Sequence, residues 1–342
     1  MKKKMLAAVF EDEGKLVPQE VDLPVIKRDD EILLKVKVAS ICGTDVRILE
    51  VPSVFPARKG IVLGHEYVGE VFEVGKKVTE VQPGDTVVVD PNITCGNCIY
   101  CRMGMPNLCE NMVSLGEQMD GAFAEYSLMP VTALHKISPE LDPELAVFAE
   151  PLSCVVNATQ KIKTQPGENV AVLGAGPIGL LFIQMFKACG ARKIIVAEVS
   201  KYRAKYALET GATRLINPLT EDLEGIVSKE TTIGADVVVD AVGTLFGEDL
   251  KLVRSGGKVL LFGQNFKART EITQNDITKN EINILGNYIA KYTFPLAIRI
   301  IESNVLNLKK LITHRFSLGN IHKGIEVMKR REAIKVIITL SS

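Results

Sequence analysis

Residues 169–199, NVAVLGAGPIGLLFIQMFKACGARKIIVAEV, read as a strand, a glycine turn, a helix and a second strand. Asn169–Leu173 is a run of strand length with an unbroken apolar stretch at 170–173, and Lys193–Val199 is another, apolar at 194–197. Ile178–Cys189 between them has the apolar content of a largely buried helix. Strands without polar alternation are those covered on both faces, as in a parallel sheet. The turn itself, Gly174-Ala175-Gly176-Pro177-Ile178-Gly179, is a G-x-G-x-x-G. Alone it is a weak signal, because glycine turns that bind nothing are common. Here it follows a strand and opens a helix. Gly174 allows the tight turn, Gly176 admits a pyrophosphate close to the backbone, and Gly179 lets helix and strand pack. The pyrophosphate would lie at the helix N-terminus, beside Pro177 and Ile178. Glu198, near the end of the second strand, is placed to accept the adenosine ribose hydroxyls and to repel a 2′-phosphate, which favours NAD over NADP. Lys201 and Arg203 are cations that could receive that phosphate instead. Arg203, Val242 and Gly263 complete the candidate cofactor-binding residues.

Working outward, ADVVVDAVG (235–243) and GKVLLFG (257–263) continue the same texture, so 154–288 reads as a doubly wound α/β domain. Residues 1–153 differ. Short alternating runs, Ile32–Ala39, Val68–Val74 and Thr86–Val89, are separated by turn signals such as Pro83-Gly84-Asp85, which predicts a β-rich domain. Residues 289–342 hold a helix over Phe294–Ser303, a second around Ile321–Arg330 and an apolar strand, Val336–Leu340. A short return of this kind predicts that the tail folds back onto the first domain.

Composition excludes several classes of function. Lys+Arg and Asp+Glu are 41 each, so the chain lacks the basic footprint expected of a nucleic-acid or anionic-membrane binder. No apolar run reaches the roughly 20 residues of a membrane span. The N-terminal apolar run, Met5–Phe10, ends in three acids and reads as a first strand rather than a signal peptide. Seven cysteines, four of them clustered, predict metal ligation in a reducing, cytoplasmic setting rather than a disulfide framework.

That cluster, Cys95, Cys98, Cys101 and Cys109 within the lobe 90–112, has the spacing C-x2-C-x2-C-x7-C. Four thiolates fill zinc's tetrahedron and leave no open position, so such a site holds a loop together and does no chemistry. The ligands suited to catalysis are scattered through SICGTD (40–45), LGHEYVGE (63–70) and FAEPLS (148–153): Cys42, His65, Glu66 and Glu150. Thiolate, imidazole and carboxylate together suit zinc with one position left open. Singly, each has a blander reading: Cys42 as a buried apolar residue, His65 as a satisfied core histidine, Glu150 as a helix N-terminal charge.

GHEYVGEVFEVG (64–75), CGTD (42–45), the cysteine lobe and GAGPIG occur in an order and spacing that resemble the zinc-dependent medium-chain alcohol dehydrogenases. HRFSL (314–318) and the last strand extend the likeness over nearly the whole chain. Glu150-Pro151 points to the polyol and sugar-alcohol branch, which includes sorbitol, galactitol-phosphate and threonine dehydrogenases. The resemblance implies a GroES-like catalytic domain, a Rossmann cofactor domain, and a homodimer or homotetramer. It implies two zinc ions per chain: one on Cys42, His65 and Glu150, with Glu66 alternating or bridging, and one in the cysteine lobe. Thr44 matches the hydroxyl that passes the alcohol proton onward.

Two departures stand out. Many relatives carry a histidine five residues after the zinc cysteine, where this chain has Arg47. Arginine stays protonated and cannot be a general base, but it can pair with an anionic substrate or with the cofactor pyrophosphate. Sorbitol dehydrogenases carry an Arg-Tyr pair where this chain has Ile289 and Ala290, leaving Lys291 and Tyr292 as nearby polar candidates for substrate contact. The expected activity is therefore NAD-dependent oxidation of a secondary alcohol in a polyol, sugar acid or sugar-alcohol phosphate. L-threonine or another amino alcohol is the alternative substrate class, and a non-catalytic NAD-binding protein the alternative of another kind.

Overall fold

In the computed structural model, which describes residues 3–340, the run Asn169–Leu173 lies in the interior of a six-stranded sheet. The strand order is Arg214–Ile216, Lys193–Ala197, Asn169–Leu173, Ala235–Asp240, Val253–Leu261, Asn283–Gly286, and all neighbours are parallel. The chain starts at Asn169–Leu173, steps outward twice, then returns to the other side of its first strand. That reversal is the switch point at which doubly wound sheets bind ligands. Val170 to Leu173 are all buried, which explains the unbroken apolar run. This sheet belongs to a unit made of Cys154–Ala290 and Asn304–Asn307.

The other unit comprises the residues up to Ser153, Lys291–Ser303 and the residues from Leu308 onward. Its main sheet runs Leu134–Lys136, Thr86–Val89, Glu66–Val74, Glu31–Ile41, Lys335–Thr339, Ile312–Ser317, and Tyr126–Pro130 also pairs with Glu31–Ile41. A smaller sheet joins Lys15–Asp22, Lys4–Asp12 and Ile61–Val62. Their shared core includes Ile41, Tyr67, Phe123 and Ile338. Three strands decide where the chemistry sits. Glu31–Ile41 ends one residue before Cys42, Glu66–Val74 begins one residue after His65, and the two pair with Ser40 opposite Glu66. On the other flank, Val336 lies opposite Ile41.

The helix Ala149–Ile162 carries the chain from one unit into the other and holds Glu150 in its first turn. The lobe leaves the first unit between two short strands, Asn92–Ile93 and Val113–Ser114, which pair antiparallel at its base. Among the described residues no helix is long and apolar enough to cross a membrane.

Candidate active site

Cys42, His65 and Glu66 each offer a ligand atom, and these atoms lie within 4.8 Å of one another. Glu150 falls outside that set. Asp45, buried in the short helix Gly43–Ile48, accepts the Cys42 amide at 2.8 Å, so the cysteine's backbone is fixed at the helix start. Its other oxygen stands 3.7 Å from His65 Nδ1, and both atoms are buried without a hydrogen-bond partner among the described residues. Thr44 Oγ1 lies 3.7 Å from Cys42 Sγ. A soft thiolate, an imidazole and a carboxylate brought this close fit zinc.

The electrostatics of this pocket are those of crowded acids. Burial alone would pull His65 down, but Cys42, Asp45 and Glu150 outweigh it and hold the imidazole well above its usual value. Burial also pushes Glu66 up. Lys335 opposes it most strongly, with His65 and Ser40 assisting, and the carboxyl ends below its ordinary range. Glu150 rises to about 7, through burial first, with His65 and Lys335 pulling it back and Glu66 adding to the rise. A divalent cation here would favour the charged form of every acid in the pocket.

In the second unit the glycine turn has the shape a dinucleotide needs. Gly174 has φ +94°, in the left-handed region. A Cβ on Gly179 would overlap the Gly174 carbonyl oxygen, so only glycine lets the helix Pro177–Ala188 start this close to the strand. The N-cap, Gly176, supplies no capping side chain, which leaves the first amides of that helix for a phosphate. Glu198 sits just past the strand Lys193–Ala197 and accepts the Ala175 and Ser200 amides, each at 2.7 Å. It therefore braces the turn. Arg203 comes alongside, with Nη1 3.6 Å from where a Gly176 Cβ would be. Across the switch point, Val242 Cγ2 would meet a Gly174 Cβ at 2.8 Å, and Gly263 packs on Gly243. Asp240 fixes that bend by accepting the amides of Val242, Gly243 and Leu245. A cavity of about 220 Å³ opens here, lined by residues that include Asp240, Thr244, Phe246 and Gly263.

The four lobe cysteines also lie within 4.8 Å of one another. Amide groups of Asn97 and Cys98 point at Cys95 and bring its thiol down to about 6, toward the thiolate a metal requires.

The chain resembles known proteins over most of its length. The family model of the alcohol dehydrogenase GroES-like domain matches residues 28–139, and that of the zinc-binding dehydrogenases matches 177–303. An L-threonine 3-dehydrogenase of Caldanaerobacter subterraneus is 38% identical over 90% of this chain and 91% of its own length. The chain is a zinc-binding medium-chain dehydrogenase. A sorbitol dehydrogenase of Bacillus subtilis is 33% identical, over 98% of this chain and 97% of that one. A zinc-binding dehydrogenase of Sinorhizobium meliloti, solved with NADP, superposes with a TM-score of 0.92 at 31% identity, covering 99% of this chain and 100% of that one. The protein is thus an oxidoreductase of CH–OH groups, with the GroES-like and Rossmann domains of its family.

The dehydrogenase's remaining candidates are Arg47, Lys291 and Tyr292. Arg47 is half-buried in the helix Gly43–Ile48, and its carbonyl accepts the Val54 amide at 3.4 Å. Lys291 and Tyr292 belong to a strained connection in which Ile289 and Tyr292 both have positive φ. Tyr292 is 71% exposed, and the Lys291 amide donates to Thr293 Oγ1 at 3.2 Å. The sequence reading passed over Ser40, Asp45 and Lys335. Asp45 had a signal, since an acid at the third helical position reaches back to the N-cap amide. Lys335 had a fainter one, a lysine opening the apolar strand Lys335–Thr339.

Proposed function

We propose that this dehydrogenase oxidises a secondary alcohol of a polyol, sugar acid or sugar-alcohol phosphate, with NAD as hydride acceptor. The observation that carries this reading is the convergence of Cys42, His65 and Glu66 within 4.8 Å, in a chain that also builds the glycine turn braced by Glu198. Cys42, His65 and one or both of Glu66 and Glu150 would hold a zinc ion, which supplies the Lewis acidity that lowers an alcohol's pKa. Thr44 lies beside Cys42 to relay the alcohol proton, accepting it while donating its own toward the cofactor ribose and water, and Arg47, permanently protonated, serves to attract an anionic substrate group instead of acting as a base. A second zinc in the four-cysteine lobe is structural. NAD is favoured over NADP because Glu198 presents its carboxylate beside the turn, with Arg203 the residue that tempers the choice. The seven free thiols, four of them gathered as metal ligands, support a reducing, cytoplasmic setting. The exposed lobe residues Ile99, Tyr100 and Met103 support assembly as a homodimer or homotetramer.

L-threonine is the second reading, favoured by the 38% identity to a threonine dehydrogenase. One experiment separates the two: NAD reduction by zinc-replete protein across sugar alcohols, aldonates, their phosphates and L-threonine. Turnover on the polyol series supports the first reading and on L-threonine the second. Silence on every alcohol, or full activity in Cys42→Ser, refutes both.

A further inference from the structure

Three adjacent strands bring together residues far apart in the chain. Ser40 lies opposite Glu66 in register, and Lys335 precedes Val336, which lies opposite Ile41. Lys335 Nζ is 2.5 Å from Glu66 Oε2, and both side chains are 2% exposed. Ser40 Oγ donates to the same oxygen. The ammonium also stands 5.2 Å from the centroid of the Phe148 ring, two residues before Glu150. A buried ion pair of this kind is weak as a stabiliser, since apolar side chains of similar volume fill such space as well or better. What it does supply is a fixed orientation. Two donors on Oε2 leave Glu66 little freedom to rotate, and neither reaches Oε1.

We propose that Lys335 is the positioning residue of the Cys42–His65–Glu66 centre. By holding Oε2 it leaves Oε1 as the one oxygen Glu66 offers a metal, and it cancels one negative charge of the site. The proposal rests on the metal-centre reading given above. The charge matters because Cys42, Asp45, Glu66 and Glu150 crowd one pocket. A divalent ion surrounded by uncompensated anions polarises an alcohol less strongly, so a cation placed behind one acid preserves Lewis acidity. Partners one shell behind a ligand commonly act in this way, by orienting it and setting its basicity. Lys335 touches neither substrate nor metal in this scheme and acts through Glu66.

Cobalt(II) exchanged into the protein reports the centre's coordination without turnover. Subtracting the spectrum of a cobalt-loaded Cys42→Ser protein removes the four-cysteine lobe. K335R keeps the cation and its donors and is expected to retain the wild-type visible bands. K335M keeps chain length but loses the donor, and is expected to lose band intensity severalfold as Glu66 becomes free to bind through both oxygens. In a Glu66→Gln background the K335M change should bring no further difference. If K335M does not fold, Ser40→Ala carries the test through the other donor, with a smaller loss in the same direction. Wild-type bands in folded K335M, or in Ser40→Ala where it stands in, overturn the proposal. A wild-type protein with no Cys42-dependent cobalt bands fails the metal-centre reading itself, and the proposal with it.

Discussion

Asp249 provides a test of the electrostatics that needs no substrate. It lies in the helix Phe246–Leu252 with no exposed surface, and neither carboxyl oxygen has a hydrogen-bond partner among the described residues. Burial, reinforced by the charges of Asp240 and Glu248, moves its pKa from 3.8 up to about 8. Asp240 is the residue whose oxygens hold the Val242–Leu245 bend beside the cavity, and its charge acts on Asp249. Between those two pKa values the folded chain keeps a proton that the unfolded chain has released. Stability therefore falls as pH rises through that window and levels off above it. A tenfold difference in proton affinity corresponds to about 1.4 kcal/mol, so charging Asp249 costs the fold roughly 6 kcal/mol in all. Asp249→Asn keeps the shape and cannot ionise. Its advantage over the wild type should grow by roughly 4 kcal/mol between pH 5 and pH 8.5 and then stop. Guanidinium unfolding followed by far-ultraviolet circular dichroism at pH 5, 7 and 8.5 measures this, because every other titrating group is common to both proteins. A difference that stays constant over the range refutes the reasoning.

Three further outcomes follow from the proposed metal sites and the glycine turn. Glu198→Ala removes the acceptor of two amides and should cost the fold about 1–3 kcal/mol. It should also weaken NADH at least tenfold by fluorescence titration, and unaltered affinity would count against a role for Glu198 in the turn. Cys101→Ser should lower zinc from two ions to one per chain by elemental analysis and expose 92–114 to proteolysis, with unchanged cleavage arguing that the lobe holds itself together without metal. Arg47→Ala should raise KM for aldonates and sugar phosphates at least tenfold while sparing neutral polyols; an equal effect on both discards the anion-pairing role.

The parts of this protein that are legible in its sequence are those whose physical requirements are local. The glycine turn needs a strand before it, a helix after it and an acid some 20 residues on, and all fall within 169–199. The cysteine lobe is likewise a matter of spacing. The candidate active site is harder, because its closeness depends on strand register: Cys42 and His65 meet only because Glu31–Ile41 and Glu66–Val74 pair with Ser40 opposite Glu66. No pattern within either segment reveals that pairing, and family resemblance is what joins them at the sequence level. Lys335 lies further out of reach. A lysine at the head of an apolar strand has the look of a surface charge until the strand is seen beside Glu31–Ile41. Asp249 is hidden for the opposite reason. In Phe246–Leu252 it sits among Glu248 and Lys251, as an ordinary solvent-facing residue would.

The pairing of Lys335–Thr339 beside Cys42 also sets an order of events during synthesis. The four lobe cysteines span 15 residues, and a loop of that length closes at small entropic cost, so the lobe can take up metal soon after residue 109 is made. Glu66 acquires its counter-ion only when residue 335 arrives. Until then its carboxylate lies in a pocket of acids without its main compensating charge. Metal uptake by the lobe is therefore expected to precede uptake at the Cys42–His65–Glu66 cluster as the chain is made. Zinc shortage during translation would yield protein that is folded around its lobe and inert at its centre.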